Sequence, residues 1–358
     1  MYNVLNISHF SAASAGNFIR SFKALSRRVK SQGGNFIWVF PRAAAQREWA
    51  RELISSGEKV YFMSFSLFAD AKLFRKLIRS YDINIVHTNF AEKSEYLPLR
   101  IACAFSKVRI VAHIHSNFKK TNSSIMEAVK RFLINSDVNI CVSEELAAIA
   151  GSRGMKNNTV VTNAVDFSRL DTYDPIDRES LGVSSDKVIL MSFGYDFRIK
   201  GIDVLLDALD TFDVQRRYIA MICAAGHVEE ATATVCERYG KVPDHIKLMP
   251  ARDDVGAYYS LADYFVAPSR SEGFSYARVE AAYCGTPQIL SDIPVHHQGD
   301  IPQTVFFPSG DPSGLFHALQ EAESTAFDAS IIRDHVKQEY SLDRWTDEMM
   351  LVYRSLIK

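Results

Sequence analysis

Ser269-Arg270-Ser271-Glu272-Gly273-Phe274-Ser275-Tyr276-Ala277-Arg278-Val279-Glu280 follows the apolar run Tyr264-Phe265-Val266-Ala267. The run reads as a buried strand, the next residues as a polar loop, and Ser275–Tyr283 as a helix. Two carboxylates therefore stand eight positions apart, Glu272 on the loop and Glu280 on the helix. Between them Gly273 lets a ligand approach the backbone, and the N–H groups of a helix start suit a phosphate or sugar oxygen. A carboxylate accepts two hydrogen bonds at once, which is what the vicinal diol of a ribose or hexose presents. The plainer reading is a loop charge followed by a solvated helix face.

Outward from this stretch the chain alternates strand and helix. In the first half, strands are expected at Asn3–Ile7, Asn35–Phe40, Lys59–Met63, Ile83–His87, Val108–Ile114 and Val138–Val142. Phe18–Lys30, Leu67–Ser80 and Ile125–Ile134 read as helices between them. In the second half, strands are expected at Val188–Phe193, Tyr218–Ala224, Ile246–Met249, Tyr264–Ala267 and Gln288–Leu290. The matching helices are Ile202–Leu209, Glu229–Tyr239, Val255–Leu261 and Ser275–Tyr283. Such alternation implies an α/β chain with parallel sheets covered on both faces. At 358 residues there is room for two such domains. Periodicity fades over Asn163–Ser185, the candidate linker, so the domains are set at 1–170 and 171–342. Asp343–Lys358 closes the chain as a helix with Trp345, Met349, Val352 and Leu356 on one face.

A net charge of −1 hides an asymmetry. Residues 1–170 hold 24 Lys+Arg and 12 Asp+Glu, a balance of +12; residues 171–358 hold 17 and 30, a balance of −13. The basic half suits an anionic membrane surface or a lipid-diphosphate acceptor. Its cations fall in three groups: Arg20, Lys23, Arg27, Arg28 and Lys30; Lys72, Arg75, Lys76 and Arg79, interleaved with Phe68, Leu73, Phe74 and Leu77; and Lys119, Lys120, Lys130 and Arg131. Each group alone reads first as a solvated helix face over a core. No recognised nucleic-acid motif accompanies the charge, so nucleic acid is not expected as a partner. Five scattered cysteines without a Cys-x-x-Cys pair fit a reducing cytoplasm, and no basic-then-apolar segment precedes the first strand.

The stretch from Glu272 to Glu280, with Cys284-Gly285-Thr286-Pro287 after it, resembles the Glu-x7-Glu signature of retaining GT-B glycosyltransferases, the group called family 4. The resemblance implies a GT-B fold, two Rossmann-like parallel-sheet domains facing a central cleft, with the terminal helix 343–358 crossing back to the first domain. It places Glu272 by the donor sugar and Glu280 on the ribose of the nucleotide. The amides of Gly273, Phe274, Ser275, Tyr276 and Ala277 would meet sugar hydroxyls and phosphate. Ser275 stands where the family often has Gly. Phe193-Gly194-Tyr195-Asp196-Phe197-Arg198-Ile199-Lys200-Gly201 is similar to the family's diphosphate loop, with Lys200-Gly201 in place. Tyr195 occupies the position of the family's Arg, so the guanidinium falls to Arg198. A cationic loop at the end of a parallel strand suits a diphosphate, and surface charge before an amphipathic helix is the plainer account.

Gly16 matches one of two adjacent glycines that line the family's cleft, and an ordinary turn glycine explains it as well. His115, at the end of Val108–Ile114, matches the His that faces the donor sugar; His113, on the same face of the strand, reads as a core histidine. Arg252 lies where the family's base contacts come from the backbone of Pro250–Arg252. Ser143-Glu144 resembles the family's Ser-Glu and equally reads as an N-cap. Asn163-Ala164-Val165-Asp166 is similar to the family's hinge.

No two Asp are separated by one residue, and no His/Cys/carboxylate cluster has metal-ligand spacing, so no metal and no cofactor are expected. Gly-x-Gly-x-x-Gly and the P-loop pattern are missing too. The expectation is a cytoplasmic glycosyltransferase acting peripherally at the inner face of a membrane. It would take a UDP- or GDP-linked sugar as donor and a glycan or lipid-linked molecule as acceptor, in surface glycan assembly. A nucleotide-sugar epimerase and a non-catalytic sugar-binding GT-B subunit remain as alternatives.

Overall fold

The computed structural model of the chain describes residues 1–90, 93–116, 136–194, 196–224, 226–252 and 254–357. The helix expected at Ile125–Ile134, the cations Lys119, Lys120, Lys130 and Arg131, and Tyr195 lie outside the described residues. The chain divides into two compact units, Met1–Ala164 with Leu342–Lys358, and Val165–Ser341.

The first unit is built on seven parallel strands: β1 (Asn3–Ser8), β2 (Asn35–Pro41), β3 (Lys59–Met63), β4 (Ile85–Asn89), β5 (Arg109–Ile114), β6 (Val138–Cys141) and β7 (Asn158–Val160), in the order β3-β2-β1-β4-β5-β6-β7. Alternation sends Val4, Phe36, Trp38, Ile85 and Val111 to one face and Leu5, Ile37, Val39, Val86 and Ile110 to the other. The first face is covered by the helices Gly16–Ser31 and Glu48–Ser55 and by the terminal helix Leu342–Leu356. The second is covered by Leu67–Ser80 and Lys93–Cys103. In the terminal helix Trp345, Met349 and Tyr353 are buried, while Val352 and Leu356 pack at the margin. Trp345 meets Phe22 edge-on at 5.3 Å.

The second unit has six parallel strands: β8 (Val188–Phe193), β9 (Tyr218–Cys223), β10 (Ile246–Met249), β11 (Tyr264–Ala267), β12 (Gln288–Ser291) and β13 (Thr304–Phe307), ordered β10-β9-β8-β11-β12-β13. Leu190, Ile222, Val266 and Ile289 meet Leu205 and Leu209 of the helix Ile202–Phe212 and Leu315 and Leu319 of Pro312–Ser324 in one core. Most of these strands are near-continuous apolar runs, as strands covered on both faces are.

The segment expected as a linker, Asn163–Ser185, is partly folded. It carries 3-10 turns at Phe167–Leu170 and Glu179–Leu181, and Val165, Leu170 and Val183 are buried. The division between units falls at Ala164/Val165 rather than at 170/171, because the Val165 N–H donates to the Tyr340 carbonyl, 2.9 Å away, within the second unit. Ser143 is an N-cap: its Oγ accepts the Leu146 N–H at 3.2 Å.

Three imidazoles stack beneath the carboxyl ends of β4 and β5. His87 Nδ1 lies 2.7 Å from the Tyr353 hydroxyl, and its Nε2 lies 3.3 Å from His113 Nδ1. The His113 and His115 rings stack at 4.1 Å. Burial pushes His87 and His115 down to about 3 and His113 well below the ordinary histidine range. All three stay neutral in the fold, whereas the unfolded chain protonates them near pH 6.5. Below that pH the unfolded state binds more protons, so stability falls as pH drops toward 3. The urea midpoint should therefore decrease between pH 7.5 and 5.0, and decrease less in His113→Gln. A midpoint independent of pH over this range would contradict neutral rings in the fold.

Candidate active site

In both units the first strand pairs with the fourth, β1 with β4 and β8 with β11, at the point where the strand order reverses. Ligands of open parallel sheets bind beyond the carboxyl ends of the strands at that point. In the second unit the loops there are Gly194–Gly201 after β8 and Pro268–Ser275 after β11.

These loops touch backbone to backbone. Gly201 has φ +67, and a Cβ on it would stand 1.8 Å from the Pro268 carbonyl oxygen. Only glycine satisfies both conditions. The Arg270 N–H donates to the Ile199 carbonyl at 2.8 Å, and its Nη1 donates to the Arg198 carbonyl at 2.6 Å. The same guanidinium grips Asp203 through two bonds of 2.7 and 2.9 Å. Asp196 shapes the loop by accepting the N–H groups of Arg198 at 3.1 Å and Ile199 at 2.9 Å.

This contact brings Lys200 to Glu272. Lys200 Nζ donates to both Glu272 oxygens, at 2.7 and 2.9 Å, and Ser269 Oγ donates to Oε1 at 2.8 Å. The two side chains are 19% and 9% exposed, so the pair is largely withdrawn from water. Arg198 points outward and is exposed; no side-chain bond or ion pair holds it among the described residues. Of the two expected cations, the fold joins only Lys200 to Glu272.

Glu280 lies on the helix Tyr276–Tyr283 and is buried. Its Oε1 accepts from Arg169 Nη1 at 2.6 Å, and its Oε2 accepts from the Tyr259 hydroxyl at 3.0 Å. Burial, with the Glu280 charge beside it, holds the Tyr259 hydroxyl well above its ordinary range, so it remains a donor. Arg169 comes from the 3-10 turn of the expected linker, where Phe167 stacks on Tyr283 at 4.3 Å and Asp171 accepts from the Tyr283 hydroxyl at 2.7 Å. From below, the wholly buried Arg278 ties the helix down, donating to the His296 carbonyl at 2.9 Å and the Tyr340 hydroxyl at 3.2 Å.

Between the two carboxylates, the N–H groups of Gly273, Phe274 and Ser275 make no backbone–backbone hydrogen bond among the described residues. Ser275 is the N-cap, without a side-chain cap bond, and Tyr276 and Ala277 open the helix. The Phe274 ring is buried against Tyr276 and Tyr340, so its side chain belongs to the core. Arg252 forms a two-bond pair with Asp254, at 2.8 and 2.5 Å, and that guanidinium pulls the Asp254 carboxyl down to about 2. The Pro250 carbonyl accepts from the Tyr258 hydroxyl at 2.8 Å.

Two families match this chain in succession. Residues 20–169 match Glycosyltransferase Family 4, and residues 186–324 match Glycosyl transferases group 1. The chain belongs to these glycosyltransferases. Its fold is GT-B: a glycosyltransferase from Rickettsia africae superposes with a TM-score of 0.82 at 17% identity, covering 100% of this chain and 99% of that one. Anabaena HepE in complex with UDP and glucose gives 0.79 at 17% identity, covering 99% and 100%. Among curated relatives, the O-antigen biosynthesis glycosyltransferase WclY of Escherichia coli is 24% identical over 189 residues, 51% of this chain and 50% of that protein. A D-inositol 3-phosphate glycosyltransferase of Jonesia denitrificans is 29% identical over 126 residues, 33% of this chain and 30% of that protein. The match thus spans a third to a half of the length of these curated relatives.

The first unit of this family member carries the other two expected residues. Gly16 opens the helix Gly16–Ser31 with φ +54, and nothing lies within 4 Å of where its Cβ would be, so backbone is open there. His115 is half-buried, stacks on Phe90 at 4.1 Å and sits with Nε2 3.1 Å from Asn89 Oδ1.

Sequence reasoning missed Arg169, Tyr259, Ser269 and Arg270. Ser269 and Arg270 flank Glu272 and could have been found by asking what holds a loop carboxylate. Arg169 and Tyr259 lie 111 and 21 positions from Glu280, with no spacing signal. Glu280→Ala should unfold at lower urea, losing about 3 kcal/mol, because it leaves the largely withdrawn Arg169 guanidinium, 16% exposed, without this partner. Glu280→Gln, which keeps an acceptor for Tyr259, should lose less. Equal midpoints for wild type and Glu280→Ala would remove the pair from the account of how this helix is held.

Proposed function

We propose that this chain is a retaining glycosyltransferase that moves a sugar from a nucleotide-diphospho-sugar to a glycan or lipid-linked acceptor in surface glycan assembly. The observation that carries the reading is the Lys200–Glu272–Ser269 cluster at the carboxyl ends of β8 and β11, where a parallel sheet takes its ligand. WclY and the Rhizobium meliloti lipopolysaccharide core mannosyltransferase LpsB, 28% identical over 145 residues, support the surface-glycan setting. HepE complexes with UDP and UDP-glucose favour a UDP-linked donor over a GDP-linked one.

In this reading Glu272 stands by the donor sugar and Glu280 takes the ribose. Gly273, Phe274, Ser275, Tyr276 and Ala277 offer backbone N–H groups to phosphate and sugar oxygens. The leaving diphosphate gains charge as the glycosidic bond breaks, and Lys200 stabilises it, with Arg198, exposed on the same loop, as the second cation offered to it. Configuration is kept by attack from the face the diphosphate leaves, with a leaving phosphate oxygen taking the acceptor proton. Gly16 and His115 of the first unit serve the donor side, and Arg252 borders the base. The +12 balance of residues 1–170 suits work at the cytoplasmic face of an anionic membrane.

Side-chain cations meet the diphosphate charge here, so no metal or other cofactor is assigned. Turnover should survive excess EDTA; loss of activity restored by Mg²⁺ or Mn²⁺ would replace this part of the reading. Isothermal titration with UDP, GDP and their sugars tests the donor site directly. Glu280→Gln should weaken nucleotide binding by about 2–4 kcal/mol, since a ribose loses charge-assisted bonds. Unchanged affinity in the folded variant would contradict the assignment. Lys200→Ala should lower kcat about 10²-fold or more, by analogy with a removed oxyanion donor. If Arg198→Ala keeps full activity, that residue is surface charge. Product formed from nucleotide-sugar without any acceptor would point to an epimerase instead.

A further inference from the structure

The helices Leu67–Ser80 and Lys93–Cys103 cover the same face of the first unit's sheet, and both connect parallel strands, so they run side by side in one direction. Their outer surfaces differ in kind. On the first, Lys72, Arg75, Lys76 and Arg79 form an exposed basic row that continues from Phe68, itself 80% exposed. From Phe68 to Arg79 the row runs roughly 16 Å at the helical rise. On the second, Leu97 and Ile101 are exposed at i and i+4, and the step repeats once more to Phe105 just beyond the helix end. Arg75 Nη2 donates to the Ile101 carbonyl at 2.8 Å, fixing the basic row against the apolar one. A groove with a cavity volume of about 530 Å³ lies along the contact, lined by Phe68, Lys72, Arg75, Lys76, Arg79 and Ile101 among others.

Three features of this surface call for a partner. Its acids are turned inward: Asp70 and Glu95 are buried, and no exposed residue of 67–80 or 95–107 is Asp or Glu. Phe105 is fully exposed and held at φ +64, a conformation that costs a bulky residue strain. Apolar side chains sit beside cations rather than apart from them, which is the composition of an interfacial surface. A polyanion in water would pair with the cations but leave Phe68, Leu97, Ile101 and Phe105 wet. An anionic bilayer takes both, with headgroup phosphates in the basic groove and the aromatic and aliphatic side chains at the acyl boundary.

We propose that this double row, the basic face of Leu67–Ser80 with the apolar row Leu97, Ile101 and Phe105, is the surface by which the chain docks on an anionic membrane. The inference rests on the membrane-bound setting proposed above and assigns it to one face. None of these residues belongs to the donor site, so nucleotide affinity should be unaffected by changing them.

The test is co-sedimentation of the full chain with vesicles of phosphatidylcholine alone or mixed equally with phosphatidylglycerol, at low and high salt. Wild type should bind the mixed vesicles and be released by salt, since such attraction is screened over roughly 8 Å at physiological ionic strength. Lys72→Glu/Arg75→Glu/Lys76→Glu/Arg79→Glu should cut that binding at least about tenfold. Phe68→Ser/Phe105→Ser should cut it several-fold while leaving the response to salt. UDP titration of each variant shows that it is folded. If wild type binds and both variants bind equally well, this face is not the docking surface while the membrane setting stands. If wild type binds neither vesicle, the membrane setting falls with it. Salt-sensitive binding to an acidic polysaccharide in place of vesicles would assign the face to a polyanion and overturn the proposal.

Discussion

The contact between Gly201 and the Pro268 carbonyl is the constraint on which the Lys200–Glu272 cluster depends. Two loops leave neighbouring strands, β8 and β11, and would ordinarily be kept apart by side chains. Removing one Cβ, at a position whose φ of +67 already favours glycine, lets the backbones close up. The Arg270 N–H then reaches the Ile199 carbonyl, and its guanidinium locks onto Asp203. Lys200 precedes the glycine and Glu272 follows the proline by four positions, so their ion pair results from the backbone contact. An exposed pair such as Arg270–Asp203 contributes no more than about 1 kcal/mol. Its value lies in fixing the geometry of the more buried Lys200–Glu272 pair beside it.

The second carboxylate is held on a different principle. Glu280 sits inside a folded layer, between Arg169 from the preceding segment and Tyr259 from a neighbouring helix. Held by these donors, the carboxylate keeps its position without a ligand. One carboxylate is thus tethered on a loop by a lysine, and the other is set rigidly in the core of the same unit.

Much of this was legible in sequence because it depended on local spacing. Strand–helix alternation located eleven of the thirteen strands among the described residues, since strands covered on both faces are continuous apolar runs. β7 has only three residues, all part-exposed, and β13 alternates buried with exposed residues, so neither stands out as an apolar run. Lys200, Glu272 and Glu280 stand out in sequence because each lies in a short motif. Arg169 was missed because turn-rich composition made its segment read as a linker, whereas Phe167 and Asp171 pin it to Tyr283 through contacts distant in sequence. Arg198, two positions from Lys200, is exposed, and its backbone N–H is held by Asp196.

The charge asymmetry gains meaning only when burial is added. A balance of +12 over residues 1–170 is a property of composition and names no surface. In the fold, Lys30 is spent on Glu58, which also accepts from Trp38 and Ser26, and Arg109 is spent on Asp137. Arg28 pairs with Asp347 of the terminal helix. The basic helix Gly16–Ser31 thus uses part of its charge on its own unit. Across the second helical pair the acids turn inward and the cations outward, and apolar side chains share the surface with them. A stretch that had to be soluble and nothing more would intersperse both signs of charge and bury its phenylalanines. Departure from that pattern on one pair of helices, and not on the other, is what turns a net charge into a located surface.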